Sequence, residues 1–493
     1  MELTHNREVS YWVLMLAFNL EKMNLKIYSL IAAGAFVLSV QSGCKKDFLK
    51  KDPIDKITGE IVLSDAAGAN KLMKGVYDGM YNDYNIWDFM TNGDVTSDNA
   101  YAGGDNPANI QIDLFTTNST NGNVDRDWAA LYKDIKNANE VLENIPAVPD
   151  PSLDATGRRN QILGEASGIR AYMYFNLVRL FGAVPLILKT PQNLTETQQP
   201  KSTVDQIYAQ IIKDLEFALA NASATAANKG IFTKGVANAL LAKVYASKPS
   251  PDWAKVNQYC DATQASGYSL FPNFNGLFDI ANKNNSESIW EMQFQGYGGE
   301  HGNWMPGVIT GTGWKRFNTP SNDLVKAYDD EGDLIRKNSS ILFRDVSAEG
   351  WSDNYWSKSN YPFVNKYRAD DKSDSYILRL ADILLLKAEA LNELSASGWS
   401  QSKVIVDQIR ARVKLAGTPA ADQTAMRLAI EKERRLELAF EGHRWFDLLR
   451  TNRAVTVMNA QLDGKGNSLN YMVTPAKLIF PVPQKEIDRN PNL

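Results

Sequence analysis

Cysteine and histidine are almost missing from this chain. Its 493 residues include two cysteines, Cys44 and Cys260, and three histidines, His5, His301 and His443. Two cysteines exclude a disulfide framework and a CxxC metal site, and three scattered histidines make no zinc-type ligand set, so neither metal nor cofactor is expected. A surplus of positive charge is missing too. Lysine and arginine number 53 against 57 aspartates and glutamates, for a net charge of −4. That balance argues against a phosphate-tracking surface and against a nucleic-acid partner. The GxSxG elbow, the P-loop and HExxH are absent. What is plentiful is aromatic: Phe, Trp and Tyr make up 10% of the chain, with 11 tryptophans.

Long apolar runs are also scarce. Lys22 and Lys26 precede "IYSLIAAGAFVLSV", a run of 14 residues followed by "QSGC". The order of positive, apolar and small residues is that of a secretory signal peptide, and the run is too short for a membrane span. We assign residues 1–43 to the signal, with 1–22 an upstream extension if the natural start is Met23. Cleavage before Cys44 and acylation of that cysteine follow from the lipoprotein-like ending. Each buried methylene contributes about 0.8 kcal/mol, so several acyl chains hold where one barely does. Residues 44–55, including "KKDFLKKDP", then form a solvated tether.

Beyond the tether, helical periodicities alternate with aromatic, glycine-rich loops. "STVDQIYAQIIKDLEFAL" is the clearest helix: Thr203 and Gln206 fit a capping box, and Val204, Ile207, Ile211, Leu215 and Ala218 share one face. "RNQILGEASGIRAYMYFNLVRLFG" is apolar on more than one side, as a helix buried between neighbours should be, and Gly182 and Pro185 end it. Further helices are predicted from "DWAALYKDIKNANEVLENI", "TKGVANALLAKVYAS", "WAKVNQYCDATQA", "YILRLADILLLKAEALNEL", "SQSKVIVDQIRARV" and "TAMRLAIEKERRLELAFEG". Alanines at the crossing points resemble tetratricopeptide helices without a regular repeat length. The expected fold is mostly α: an irregular TPR-like superhelix with a loop-rich subdomain containing short strands. Residues 56–266 form its first helical part, 267–373 the loop-rich aromatic subdomain, and 374–493 the closing helices. The middle part holds five of the 11 tryptophans and 11 of the 32 glycines. A second loop-rich island is expected at "YNDYNIWDFMTNGDVTSDNAYAGGDNPAN". Its acidic residues are compatible with calcium in composition only.

"RRLELAFEGHRWFDLLR", residues 434–450, crowds acids, arginines, a histidine and a tryptophan together. On a helix capped by Asp422, the pairs Glu431–Arg435, Arg434–Glu437 and Glu441–Arg444 lie three or four apart, where side chains meet. Gly442 marks a turn or a close backbone contact, after which a short helix turns Trp445 and Phe446 inward. With no nucleophile motif beside His443, the stretch is a structural clamp rather than an acid–base site.

These residues also carry a family resemblance. "ERRLELAFEGHRWFDLLR" and "LIFPVPQKEIDRNPNL" resemble the closing segments of the SusD/RagB family of nutrient-uptake outer-membrane lipoproteins. Cys44 followed by "DFL" and Pro53, "GIRAYMYFNLVRLFGAVPLI" and "ILRLADILLLKAEALNEL" fit the same family. The resemblance covers essentially all of the mature chain. It implies a cell-surface, outer-membrane protein held by lipid that captures oligosaccharide and delivers it to a SusC-type TonB-dependent transporter. The family binds and does not hydrolyse, so no enzyme is expected.

A sugar ring has an apolar face and a polar rim, and its receptor needs flat aromatic platforms flanked by hydrogen-bonding groups. Three stretches supply that mixture. "NIWDFMTNGDVTSDNAY" offers Trp87, Asp98, Asn99 and Tyr101. "QFQGYGGEHGNWMPGVITGTGWKRF" offers Tyr297, Trp304, Trp314 and Arg316. "EGWSDNYWSKSNY" offers Trp351 and Trp356, with Tyr355 and Tyr361. Many of these rings are expected to form the subdomain's own small core. A peptide-binding RagB-like lipoprotein stays open beside the glycan binder, as does a secreted glycoside hydrolase using paired carboxylates.

Overall fold

A computed structural model describes residues 63–311 and 315–493 of the protein. The signal at 1–43, Cys44, the tether and Trp314 lie outside the described residues. The unit Leu63–Leu493 is mostly helical. Its elements run α1 (Ala66–Gly79), α2 (Phe89–Asp94), β1 (Ala100–Tyr101), α3 (Pro107–Asp113), α4 (Gly122–Asn144), α5 (Arg158–Phe181), α6 (Val204–Asn221), α7 (Lys234–Ser247), α8 (Trp253–Ala265), β2 (Ser288–Met292), β3 (Thr319–Pro320), α9 (Asn322–Glu331), α10 (Leu334–Ser340), β4 (Ile341–Arg344), β5 (Tyr361–Val364), β6 (Ser375–Arg379), α11 (Leu380–Leu394), α12 (Trp399–Arg412), α13 (Gln423–Leu438) and α14 (Arg444–Arg450). Shorter turns join them.

The long helices pack in series: α4 on α5, α5 on α6, α6 on α7, α7 on α8, α8 on α11, and α11 on α12 and α13. Local chemistry sets their ends. Thr203 and Gln206 form the capping box of α6, and Ile207, Ile211, Leu215 and Ala218 are its buried face. Gly182, at φ +69°, stops α5, most of which is buried as its two-sided apolarity predicts. Cys260 is buried on α8 and burial pushes its thiol well up, so it behaves as a small hydrophobe.

Two elements differ from the sequence expectation. "SYILR" is extended, not helical: β6 pairs antiparallel with β2, and α11 begins only at Leu380. Its β-branched and aromatic residues suit a pleated, buried ribbon. The island expected as a loop at 81–109 is a π-turn at Tyr84–Asp88 running into α2, then β1 and the start of α3, with residues 84–88 buried. Two further two-stranded ribbons, β1 with β3 and β4 with β5, are both antiparallel and carry the aromatic flank.

The stretch 434–450 is a clamp, yet not a local one. Glu437 accepts from Arg379 at 2.6 Å and Arg336 at 3.2 Å, and also pairs with Arg412. Glu441 binds Arg379 at 2.7 Å and Lys366 at 2.6 Å. Arg435 reaches Asp323, and Arg444 grips Asp98 with two hydrogen bonds of 2.7 and 2.8 Å. The helix-neighbour pairs expected from spacing are replaced by partners far along the chain, because these side chains point into the junction. Gly442 does turn the chain, at φ +73°. Trp445 and Phe446 are buried on α14, as expected.

Candidate functional site

The loop after β1, the end of the 311–318 segment and the loop 349–360 converge where the ribbons meet. At their centre lies Asp353, with a side chain only 3% exposed. Its Oδ2 accepts from the hydroxyls of Tyr101 at 2.8 Å and Tyr361 at 2.9 Å and lies 3.5 Å from Arg316 Nη1. Its Oδ1 accepts from the backbone N–H groups of Tyr355 and Trp356. One carboxylate therefore fixes both phenols, the guanidinium and the turn that carries the outer rings. Burial, with the neighbouring acid, holds both phenols above their ordinary range, so they stay protonated and donate.

The rings stand on this frame. The Arg316 guanidinium lies 3.6 Å over Trp351, and Trp351 meets Tyr361 edge-on at 4.9 Å. Tyr355 meets Tyr101 edge-on at 4.8 Å. Trp356 donates its indole N–H to Pro320 O at 3.0 Å and packs against Phe343. Tyr101 and Tyr361 are buried, while Trp351, Tyr355 and Trp356 are half-buried. The result is a ledge of fixed flat rings whose inner edges form a small core with Val346, Tyr361 and Phe363.

Six residues named from the sequence thus meet here: Tyr101, Arg316, Trp351, Tyr355, Trp356 and Tyr361. Tyr101 and Arg316 are 6% and 4% exposed, so they support the rings from behind instead of facing a ligand. Three others belong to the interior, which corrects the expectation for them. Trp87 is 4% exposed, lying against Phe317 and beneath Arg126. Asp98 is consumed by Arg444 and Arg435, whose charges outweigh its burial and hold its carboxyl near about 2. Asn99 bonds to Asp94 and Arg435. Of the acidic loop's carboxylates, Asp98 is spent on the arginines, and Asp94 accepts from Phe440 N, Gly442 N and Asn99. Trp304 is half-buried against the main core, and Tyr297 is 77% exposed on a separate loop. The keystone Asp353 was not singled out from the sequence; its one signal is the D-N-Y turn inside an aromatic run.

Two other clusters bear on chemistry. Asp78, Glu300 and His301 each bring a ligand atom within 4.8 Å of the others. Lys74 already lies 2.7 Å from both carboxylates and takes the place of a cation. His443 sits among Lys243, Asp382 and Arg434's partners, and burial, then Lys243, pushes its imidazole down to about 3. It is a neutral member of the clamp.

Comparison with known proteins agrees with this architecture. A sequence profile described as the SusD family matches residues 347–493. A second, described as starch-binding associating with outer membrane, matches residues 47–246. The chain is 27% identical to SusD-like protein P38 of Formosa agariphila, over 92% of this chain and 96% of that one. It is 24% identical to a SusD-like protein of Bacteroides ovatus, over 83% and 80%. Among solved structures, a laminarin binding SusD-like protein superposes with a TM-score of 0.73 at 26% identity, covering 87% of this chain and 98% of that one. A structure solved with xylogluco-oligosaccharide gives 0.70 at 21% identity, over 85% and 97%, a likeness of fold.

Proposed function

The chain belongs to the SusD family, and from that premise we propose that it is a carbohydrate-binding protein that captures oligosaccharides at the cell surface. The observation that carries the reading is the ledge: half-buried Trp351, Tyr355 and Trp356 held flat by Asp353 and Arg316. Fixed rings lose little entropy on stacking against a sugar face, so they suit a binder. Trp304, Tyr297 and Trp314 are proposed as further ligand contacts. Laminarin binding by a structural relative supports the ligand class.

Further steps rest on the family. Acylated Cys44 would anchor the protein to the outer membrane, and the helical scaffold would dock on a SusC-type TonB-dependent transporter, over an interface of at least about 1,200 Å². No bond in the ligand is broken.

Titration calorimetry of the purified protein against laminari-, malto-, xylo- and xylogluco-oligosaccharides tests the proposal. The Trp351→Ala/Trp356→Ala double variant should bind about tenfold or more weakly, a loss of at least ~1.4 kcal/mol. Unchanged affinity in the double variant, binding of peptides alone, or release of new reducing ends would overturn it.

A further inference from the structure

A cleft of about 670 Å³ opens between α1, the start of α5, the loop 223–231 and the β2 flank, and it shares no residue with the ledge. That volume lies within the range of about 300–1,000 Å³ usual for small-ligand sites. Its lining is rich in amides: Asn70, Gln161, Asn228, Asn284, Gln293 and Gln295 all face it. Three of its four carboxylates are paired with cations in place, while the fourth, Glu291, is buried and accepts from Asn284 N and the Gln293 amide. Lys74 pairs with Asp78 at 2.7 Å, Lys283 with Asp374 at 2.7 Å, and Arg158 with Glu165. A charged ligand would have to displace one of these partners; a neutral one would not. Tyr81 and His301 add a flat slab, their rings parallel within 2° and 3.7 Å apart.

One polar atom points to what is missing. Asp374, with a side chain 7% exposed, uses Oδ1 for Lys283 and for the N–H of Phe294, whereas its Oδ2 is buried without a partner among the described residues. A buried acceptor left unmet is unfavourable, and a ligand hydroxyl reaching it from the cleft would relieve it. Burial also pushes this carboxyl up to about 6.

We propose that this cleft is a second binding site, separate from the ledge, for a neutral, hydroxyl-rich ligand of short-oligosaccharide size. The ligand class rests on the carbohydrate-binding reading; the location does not. The test is calorimetry with maltohexaose, laminarihexaose, xylohexaose and a xylogluco-oligosaccharide on the purified protein, on Ala227→Trp, and on the ledge double variant. Ala227 lines the cleft on an exposed loop, so a tryptophan there fills it without entering the core. At least one sugar should show two sites, with Ala227→Trp removing one and the ledge variant the other. Binding abolished by Ala227→Trp but kept by the ledge variant would uphold the cleft and sink the ledge. Binding that Ala227→Trp leaves unchanged for every sugar, or no binding at all, would overturn the cleft.

Discussion

Glu437 shows what a single residue does in this fold. It is fully buried among Arg336, Arg379 and Arg412, whose charges outweigh its desolvation and hold its carboxyl far below the usual range. Burial of such a set is costly, so its value lies less in net stability than in fixing one arrangement of α10, β6, α12 and α13. Removing Glu437 leaves Arg336 to Asp333 and Glu433, Arg379 to Glu287 and Glu441, and Arg412 to Glu287, with one buried positive charge in excess of the set as it stands. Glu437→Ala should therefore cost about 3–5 kcal/mol, measurable by guanidinium denaturation. A loss below 1 kcal/mol would mean that water or rearrangement rescues the three arginines. Asp353 has a comparable position on the ledge, with smaller stakes for the whole fold. Asp353→Ala should loosen the loop 349–360 and weaken oligosaccharide binding while leaving the helical circular dichroism unchanged.

Between elements, α2 comes close to the turn before α14. A methyl group added at Gly93 would lie 2.3 Å from the carbonyl oxygen of Gly442, and Gly442 itself turns at positive φ against Phe89. Gly93→Ala should destabilise by about 1–3 kcal/mol, as overpacking does, and calorimetric melting reads it directly. Gly442 was visible in the sequence as a break in a helical pattern; its partner Gly93 was not, because nothing local announces a crossing 349 positions away. The same divide runs through the rest. Capping at Thr203 and Asp422 and the buried face of α6 were legible because their causes lie within a few residues. The β6 strand reads as helix in the sequence because its partner β2 begins 87 residues earlier. At the ledge, residue types were legible and depth was not. Trp87, Asp98 and Asn99 have the composition of a sugar site, yet they answer Arg126, Arg435 and Arg444 from other segments, and Asn99 also a carboxylate five residues back.

For the whole molecule, buried acids of opposite habit set the response to pH. Burial without a cation holds Asp94 and Asp113 up to about 7 and Asp134 up to about 8. A raised acid binds its proton in the folded chain and not in the unfolded one, so stability from this group falls as pH rises from about 4 to 8. Asp98 and Glu441, held near about 2 by arginines and lysine, act in the other sense and lose their contribution as pH drops from about 4 to 2. His443, neutral down to about 3, also weakens the fold on acidification below its unfolded value near 6.5. These raised acids, with Asp127 and Asp374 held up to about 6 by burial, outnumber one histidine in the middle range. Melting temperature should thus peak near about pH 5, above its values at about pH 3 and pH 8. A monotonic rise to pH 8 would show that these carboxyls ionise without cost.

The bidentate grip of Arg444 on Asp98 spans 346 positions. A ribosome reads those two codons far apart in time, and domains generally settle as units. Until the final fifty residues emerge, the early segment must therefore wait with an orphaned anion where its interior will be. A product terminated before Arg434 should consequently be cleared by proteolysis instead of accumulating as a shortened but folded form, and pulse-chase labelling would reveal it. An arginine made late is the lock on an acid made early.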